Sequence, residues 1–274
     1  MQQNSFHNME RQGRRAGAEA LQGSQSVRRA LDLLSLIAAW ERRGGLSVAA
    51  VAEETGLAKS TTHRLLSELL QAGYLEQGPD RRYRIGPEAY VVGVAAEPRY
   101  GVQQQSLAAA TRLAAVSEDV AFVSIRRRHH HVCVYREEGR WPIRSHVLQV
   151  GDRLPLGVGA AGLAFLAAME PDEAAAIVEA NETEIEQGYR PLSASVILEL
   201  VADARARGGV AINRGMVVDD SVGISMAVPA RAGQPVVALG IATIASRMEA
   251  EREKWLESLL RRETDHLAGR KRSR

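Results

Sequence analysis

The sequence predicts an α+β chain of two domains: a small helical domain with a two-stranded hairpin, then a larger one with an antiparallel sheet. Three observations carry this reading. Residues 46–77 hold two amphipathic helical stretches on either side of Gly56. Residues 74–85 hold two short strand patterns about the turn Gly78-Pro79-Asp80. Beyond Ser117, β-branched runs alternate with helical ones, which predicts neighbouring hairpins with helices to one side. Length agrees, since 274 residues exceed the usual size of one domain.

The first 22 residues are polar, contain Gln and Gly and lack apolar periodicity, so a disordered leader is expected over 1–22. From Ser26 to Ala39, the residues Val27, Ala30, Leu31, Leu34, Ile37 and Ala38 share one side of a packing helix. Gly44-Gly45 ends its extension. Ser47 stands at an N-cap, and Val48, Val51 and Ala52 form a short helical stripe behind it. Gly56 permits the left-handed backbone of a sharp helix-to-helix turn, and Leu57 plugs the corner.

The second helix, Ser60 to Ala72, repeats Leu65, Leu66, Leu69 and Leu70 on one face, and Gly73 stops it. Lys59, Ser60, Thr61, His63, Arg64, Ser67 and Gln71 stay mostly outside. One apolar face and one hydrogen-bonding face suit insertion into a DNA major groove, where the first residues of a recognition helix meet base edges and phosphates. After it, Tyr74–Gln77 and Arg81–Ile85 form a two-stranded wing whose Arg81, Arg82 and Arg84 suit a phosphate backbone or minor groove. The expected DNA-binding residues are Ser47, Lys59, Ser60, Thr61, His63, Arg64, Ser67, Arg81, Arg82 and Arg84. Lys59 and Arg64 are expected on phosphates or guanine, and Arg82 and Arg84 hold the wing.

Net charge is only +2, with 12 basic against 9 acidic residues over 1–86 and 23 against 24 after them. The positive excess lies on the winged side and is modest, so specific contacts must add to non-specific attraction. Beyond the wing, Gly86-Pro87 breaks the strand and Glu88 to Ala96 reads as a linking helix ahead of an interruption at Pro98. Helical spacing resumes from Val102 to Val116. Strands are expected at Asp119–Arg126, His131–Glu137, Ile143–Gln149, Gly223–Pro229 and Val236–Ile244. Helices are expected at Ala160–Met169, Pro171–Glu179, Ser195–Arg207 and Glu249–Ala268.

Several chemistries are disfavoured. Cys133 is the only cysteine, which excludes an intrachain disulfide and a cysteine-based zinc site and fits a reducing cytoplasm. No run approaches ~18 apolar residues, so no membrane span is expected. His129-His130-His131 reads as a solvated hairpin loop rather than a metal site, because adjacent histidines diverge. Ser221, Ser225 and Cys133 lack a nucleophile elbow or paired base, and Gly157-Val158-Gly159 lacks the rest of a phosphate loop. Neither an enzyme nor a cofactor is expected. The basic run Arg270–Arg274 reads as a frayed tail.

With both halves read, the chain resembles the IclR family of bacterial transcriptional regulators from Ser24 to Ala268. The resemblance lies in Ser26-Val27-Arg28-Arg29-Ala30-Leu31-Asp32-Leu33-Leu34, in Leu57-Ala58-Lys59-Ser60-Thr61-Thr62-His63-Arg64-Leu65-Leu66 and in Gly73-Tyr74-Leu75. Later it lies in Val150-Gly151-Asp152-Arg153-Leu154-Pro155-Leu156, the small-residue run ending at Gly162, Ala227-Val228-Pro229 and Gly233–Leu239. It implies a winged helix-turn-helix, a linker helix and a C-terminal GAF-like domain that binds a small organic effector, often a carboxylic or aromatic acid. It further implies homodimers or homotetramers on a double-stranded operator, with ligand shifting the population between assemblies.

Carried onto this chain, the family's pocket shows departures. The small-residue turn, which usually ends Gly-Lys, reads Ala160-Ala161-Gly162-Leu163, and the polar positions of keto-acid binders fall at Asn213, Met226, Gly240 and Ala242. A larger or more apolar effector is therefore expected, with Ala160, Ala161, Asn213, Ser225, Met226 and Gly240 as contacts. The implied division is a leader over 1–22, a winged helix-turn-helix over 23–86, a linker helix over 87–100, an effector-binding and oligomerisation domain over 101–268, and a basic tail over 269–274. The expected function is sequence-specific transcriptional regulation under a small effector. A constitutive DNA-binding oligomer, or an enzyme with a vestigial winged helix, stands as the alternative.

Overall fold

Leucines and alanines at helical spacing build most of what the structure, a computed structural model, contains; it describes residues 25–100, 104–142, 148–189, 192–229 and 236–269. The leader over 1–22, the start of the helix expected at Val102, most of the strand expected at Ile143–Gln149 and nearly all of the basic tail lie outside those residues. The chain forms two units, 1–95 and 96–274.

The first unit begins with helix α1 (25–40) and a single 3₁₀ turn, Glu41–Arg43. Gly44 and Gly45 follow at φ +84 and +76; a Cβ on Gly45 would meet the Tyr83 carbonyl oxygen at 2.2 Å. That close approach lets Leu46 pair with Tyr83 through backbone bonds of 3.1 and 2.7 Å. Helices α2 (Val48–Thr55) and α3 (Lys59–Gln71) meet at Gly56, which adopts φ +65. The wing is β1 (Leu75–Gln77) paired antiparallel with β2 (Tyr83–Ile85). Leu33, Ile37, Val51, Leu65, Leu66 and Tyr83 make one buried cluster. Each fully buried leucine contributes about 1.5–3 kcal/mol, so this cluster fixes how α3 sits against the wing.

Helix α4 spans Pro87–Tyr100. It runs through Pro98, where the sequence predicts an interruption; the missing N–H removes one bond of the ladder without ending it here.

The second unit is a sheet of six antiparallel strands in the order β5-β4-β3-β8-β7-β6. These are β3 (Val120–Arg127), β4 (His130–Glu137), β5 (Arg153–Pro155), β6 (Val210–Arg214), β7 (Ser221–Ala227) and β8 (Val237–Ile244). Strands β5 and β6 are absent from the sequence-based reading. Helices cover both faces, not one as predicted. α5 (Gln104–Ser117) and α9 (Ala250–Ala268) pack on one face; α6 (Gly159–Ala167), α7 (Pro171–Gly188) and α8 (Ala194–Ala206) lie on the other. The cause is visible in β3 and β8, whose residues are buried almost without alternation, so both faces are apolar and both need a cover. Helix α7 extends nine residues past its predicted end at Glu179, because Asn181 and Ile185 continue the buried stripe begun by Ile177.

Asp119, just before β3, closes the open end of the first layer. Its carboxylate accepts from Thr243 Oγ1 at 2.8 Å and Arg252 Nη2 at 2.7 Å, and pairs by charge with Arg247 Nη1 at 3.0 Å, outside hydrogen-bond alignment. The Arg247 guanidinium stacks 3.7 Å above the Trp141 ring. One carboxylate thereby links β3, β8, the turn after β8 and α9.

Candidate functional site

Helix α3 presents two faces. Thr62, Leu65, Leu66 and Leu69 are buried, whereas Lys59, Ser60, His63 and Arg64 are exposed and Thr61 and Ser67 half-buried. The N-cap residue Ala58 offers no side-chain acceptor, so the first-turn N–H groups lack a side-chain cap. Positive dipole, free donors and the Lys59 charge coincide at that end. Thr62 is the exception within the polar run: its hydroxyl donates back to the Ala58 carbonyl at 3.2 Å and faces inward. Ser47 caps α2, its Oγ accepting from the Ala50 amide at 3.3 Å. His63 Nδ1 lies 3.5 Å from Ser67 Oγ, one turn along.

The wing holds its arginines unequally. Arg81 is exposed at φ +57, a left-handed position in the turn. Arg82 donates from Nη1 to the Gly45 carbonyl at 3.0 Å, and Arg84 grips Asp80. The Arg84 hydrogen bonds hold the Asp80 carboxyl below the usual range. The Ile85 amide donates to Glu41 Oε2 at 2.8 Å, tying the wing to the turn after α1. The structure thus brings Lys59, Ser60, Thr61, His63, Arg64 and Ser67 onto one helix and Arg81, Arg82 and Arg84 onto one hairpin, all in one unit.

A cavity of about 500 Å³, its open mouth included, lies in the second unit between the sheet and the start of α6. Its floor is made of small residues because register places Gly223, Ser225, Gly240 and Ala242 side by side on adjacent strands. A Cβ on Gly223 would come within 3.3 Å of Ala160 Cβ. Ala160, Ala161, Asn213, Ser225 and Gly240 line the cavity, as the sequence predicts for a pocket. Met226 does not. It follows Ser225 on β7 and so points to the opposite face, where Thr264 Oγ1 of α9 lies 3.3 Å from its sulfur. A wider surface groove of about 910 Å³, counted in the same way, runs between α8 and β6, and none of the predicted contacts lines it.

Among the lining residues that escaped the sequence reading are Phe122, Ser124 and His131. The solvated-loop reading fails for His131, which is 1% exposed on β4. Burial lowers its pKa to about 4, against an opposing hydrogen bond to Val158. Its neighbour His130 is only part-buried, and its Nε2 pairs with Glu184 at 3.0 Å. The missed signal is period two in β4, where His131 and Cys133 alternate inward. Among the described residues, no group of His, Cys, Asp and Glu is arranged to hold a metal. No described helix is long and apolar enough to cross a membrane.

An amphipathic helix behind a helix-turn-helix corner, with a basic wing beside it, defines a DNA-binding transcriptional regulator. Comparison with known proteins agrees. Residues 26–79 match the IclR helix-turn-helix domain, and residues 96–268 match the bacterial transcriptional regulator IclR C-terminal domain. The chain belongs to the IclR family. It is 30% identical over 190 residues to the glycerol operon regulatory protein of Streptomyces griseus, covering 67% of this chain and 71% of that protein. It is 29% identical to the DNA-binding transcriptional repressor YiaJ of Escherichia coli K12, covering 87% of this chain and 85% of that one. Among solved structures, a putative IclR transcriptional regulator from Silicibacter sp. TM1040 superposes with TM-score 0.73 at 23% identity, covering 89% of this chain and 95% of that one. An IclR homolog of Microbacterium hydrocarbonoxydans, solved with 4-hydroxybenzoate, superposes with TM-score 0.62 at 18% identity, covering 86% and 98%.

Proposed function

We propose that this regulator reads a double-stranded operator through Lys59, Ser60, Thr61, His63, Arg64 and Ser67 of α3, with Ser47 at the start of α2 and Arg81, Arg82 and Arg84 of the wing on the backbone. The observation that carries it is the exposed polar front of α3 over a fully buried leucine back. A small organic effector occupies the cavity bounded by Ala160, Ala161, Asn213, Ser225 and Gly240. A structural neighbour solved with 4-hydroxybenzoate supports control by a small organic molecule.

The working unit is a homodimer or homotetramer. In support, Val27 and Leu31 of α1 and Tyr90, Val91 and Val94 of α4 are exposed, Tyr90 by 75%. The division of labour is DNA binding over 23–86, linkage over 87–100 and effector binding and assembly over 101–268. The protein acts in the cytoplasm, performs no catalysis and uses no cofactor. Footprinting the full chain on sheared genomic DNA tests this reading. Protection of discrete, partly palindromic sites that a panel of small organic acids alters is the expected outcome; uniform weak coating of every fragment would contradict it.

A further inference from the structure

The effector cavity contains two polar atoms that nothing among the described residues satisfies. Ser124 Oγ and His131 Nδ1 are both buried and without a hydrogen-bond partner, and both residues line the cavity and are about 1% exposed. Their positions follow from the β3–β4 register, in which Ser124 faces Cys133 and Arg126 faces His131, so the two side chains share the face that looks toward α6.

The protonation of the ring is settled by its other nitrogen. His131 Nε2 lies 3.2 Å from the carbonyl oxygen of Val158, and a carbonyl only accepts, so Nε2 carries the hydrogen. Burial keeps the imidazole neutral near pH 7, with its pKa at about 4. Nδ1 is therefore a bare lone pair, an acceptor that wants a donor. Phe165, 6.3 Å away centroid to centroid, and Gly162, whose Cβ would lie 3.5 Å from His131 Cδ2, leave the ring little freedom to turn. Among the described residues, no Lys, Arg, Asp or Glu lines the cavity. An ionised ligand would find no counter-charge on those side chains.

We infer that the effector is a largely apolar molecule bearing a hydroxyl group that donates to His131 Nδ1 and accepts from the Ser124 hydroxyl. This rests on the reading of the cavity as the effector site. A buried acceptor left unpaired is costly, so the donor is selected for more strongly than any one apolar contact. A methyl ether of the same shape cannot donate and is discriminated against.

The test titrates the full chain with three probes, phenol, anisole and benzoate, following the imidazole nitrogens by NMR with His131 assigned through a His131→Gln variant. The expected result is that phenol binds on the order of tenfold tighter than anisole or benzoate and moves the His131 Nδ1 resonance. Ser124→Ala, a smaller change that spares the histidine, weakens phenol binding a few-fold and keeps its preference over anisole. Equal binding of phenol and anisole, both lost in an Ala160→Phe variant that fills the cavity, overturns the donor assignment and leaves the cavity as the effector site. Benzoate as the tightest probe overturns it in favour of an anion. Absence of binding by all three overturns both the inference and the effector reading on which it rests.

Discussion

Arg84 grips Asp80 at two points across the turn of the wing, Nη2 to Oδ2 at 2.6 Å and Nη1 to Oδ1 at 3.1 Å. The pair shapes the hairpin and at the same time withholds one positive charge from anything beside it. Gly78 makes room for it: a Cβ there would meet Arg84 Nη1 at 2.0 Å. Asp80→Asn releases the guanidinium. We predict tighter binding to any duplex and a log affinity against log salt slope steeper by about one. Fluorescence anisotropy at several salt concentrations measures this; an unchanged slope would show that the wing does not touch phosphates.

Asp119 anchors two arginines, with Arg252 at 2.7 Å and Arg247 at 3.0 Å, and its own side chain is only 2% exposed. Replacing it by Ala strands both cations. The expected loss is about 3 kcal/mol, the low end for breaking a buried pair, because Arg252 remains part-exposed. Trp141 beneath Arg247 reports the transition in urea by fluorescence. A loss below about 0.5 kcal/mol would mean the network is ornamental.

The neutral His131 makes stability depend on pH. Its folded pKa of about 4 lies below the 6.5 of an exposed histidine, so the unfolded chain binds the proton more readily. The stabilisation is complete above pH 6.5 and is lost as pH falls toward 4. At pH 5 the His131 share of the loss is about 2 kcal/mol. His131→Gln should therefore show a flatter stability profile between pH 7 and 5 than wild type in parallel urea titrations.

Leu66 is fully buried behind α3, whereas Gln71 on the same helix is exposed. Leu66→Ala should cost about 2–5 kcal/mol and Gln71→Ala under about 0.5. Thermal unfolding of the two variants compares them directly.

The first unit was largely legible because its signals are local. Leu65, Leu66 and Leu69 repeat on one helical face, Gly56 sits where the backbone turns left-handed, and Gly78-Pro79-Asp80 lies in the turn of the hairpin. The second unit hid more. Val210–Arg214 and Arg153–Pro155 are five and three residues long, too short for periodicity to register. In the cavity, small residues at Ala160, Ser225 and Gly240 were readable, but Met226 failed by one step of strand parity. His131 looked like part of a polar triplet, although its two-residue step from the buried Cys133 places both on one face of β4, which β5 and α6 close over.

The central claim is that the exposed front of α3 lies against DNA. The most direct measurement is the affinity of the purified full chain for a genomic fragment that wild type itself selects, compared with a Lys59→Ala, Arg64→Ala double variant across a salt series. Both side chains are exposed and make no packing contribution, so the variant should keep its unfolding temperature. Affinity should fall at least about tenfold and the salt slope by about two. A variant that binds the fragment with wild-type affinity and slope would place the DNA elsewhere on the molecule.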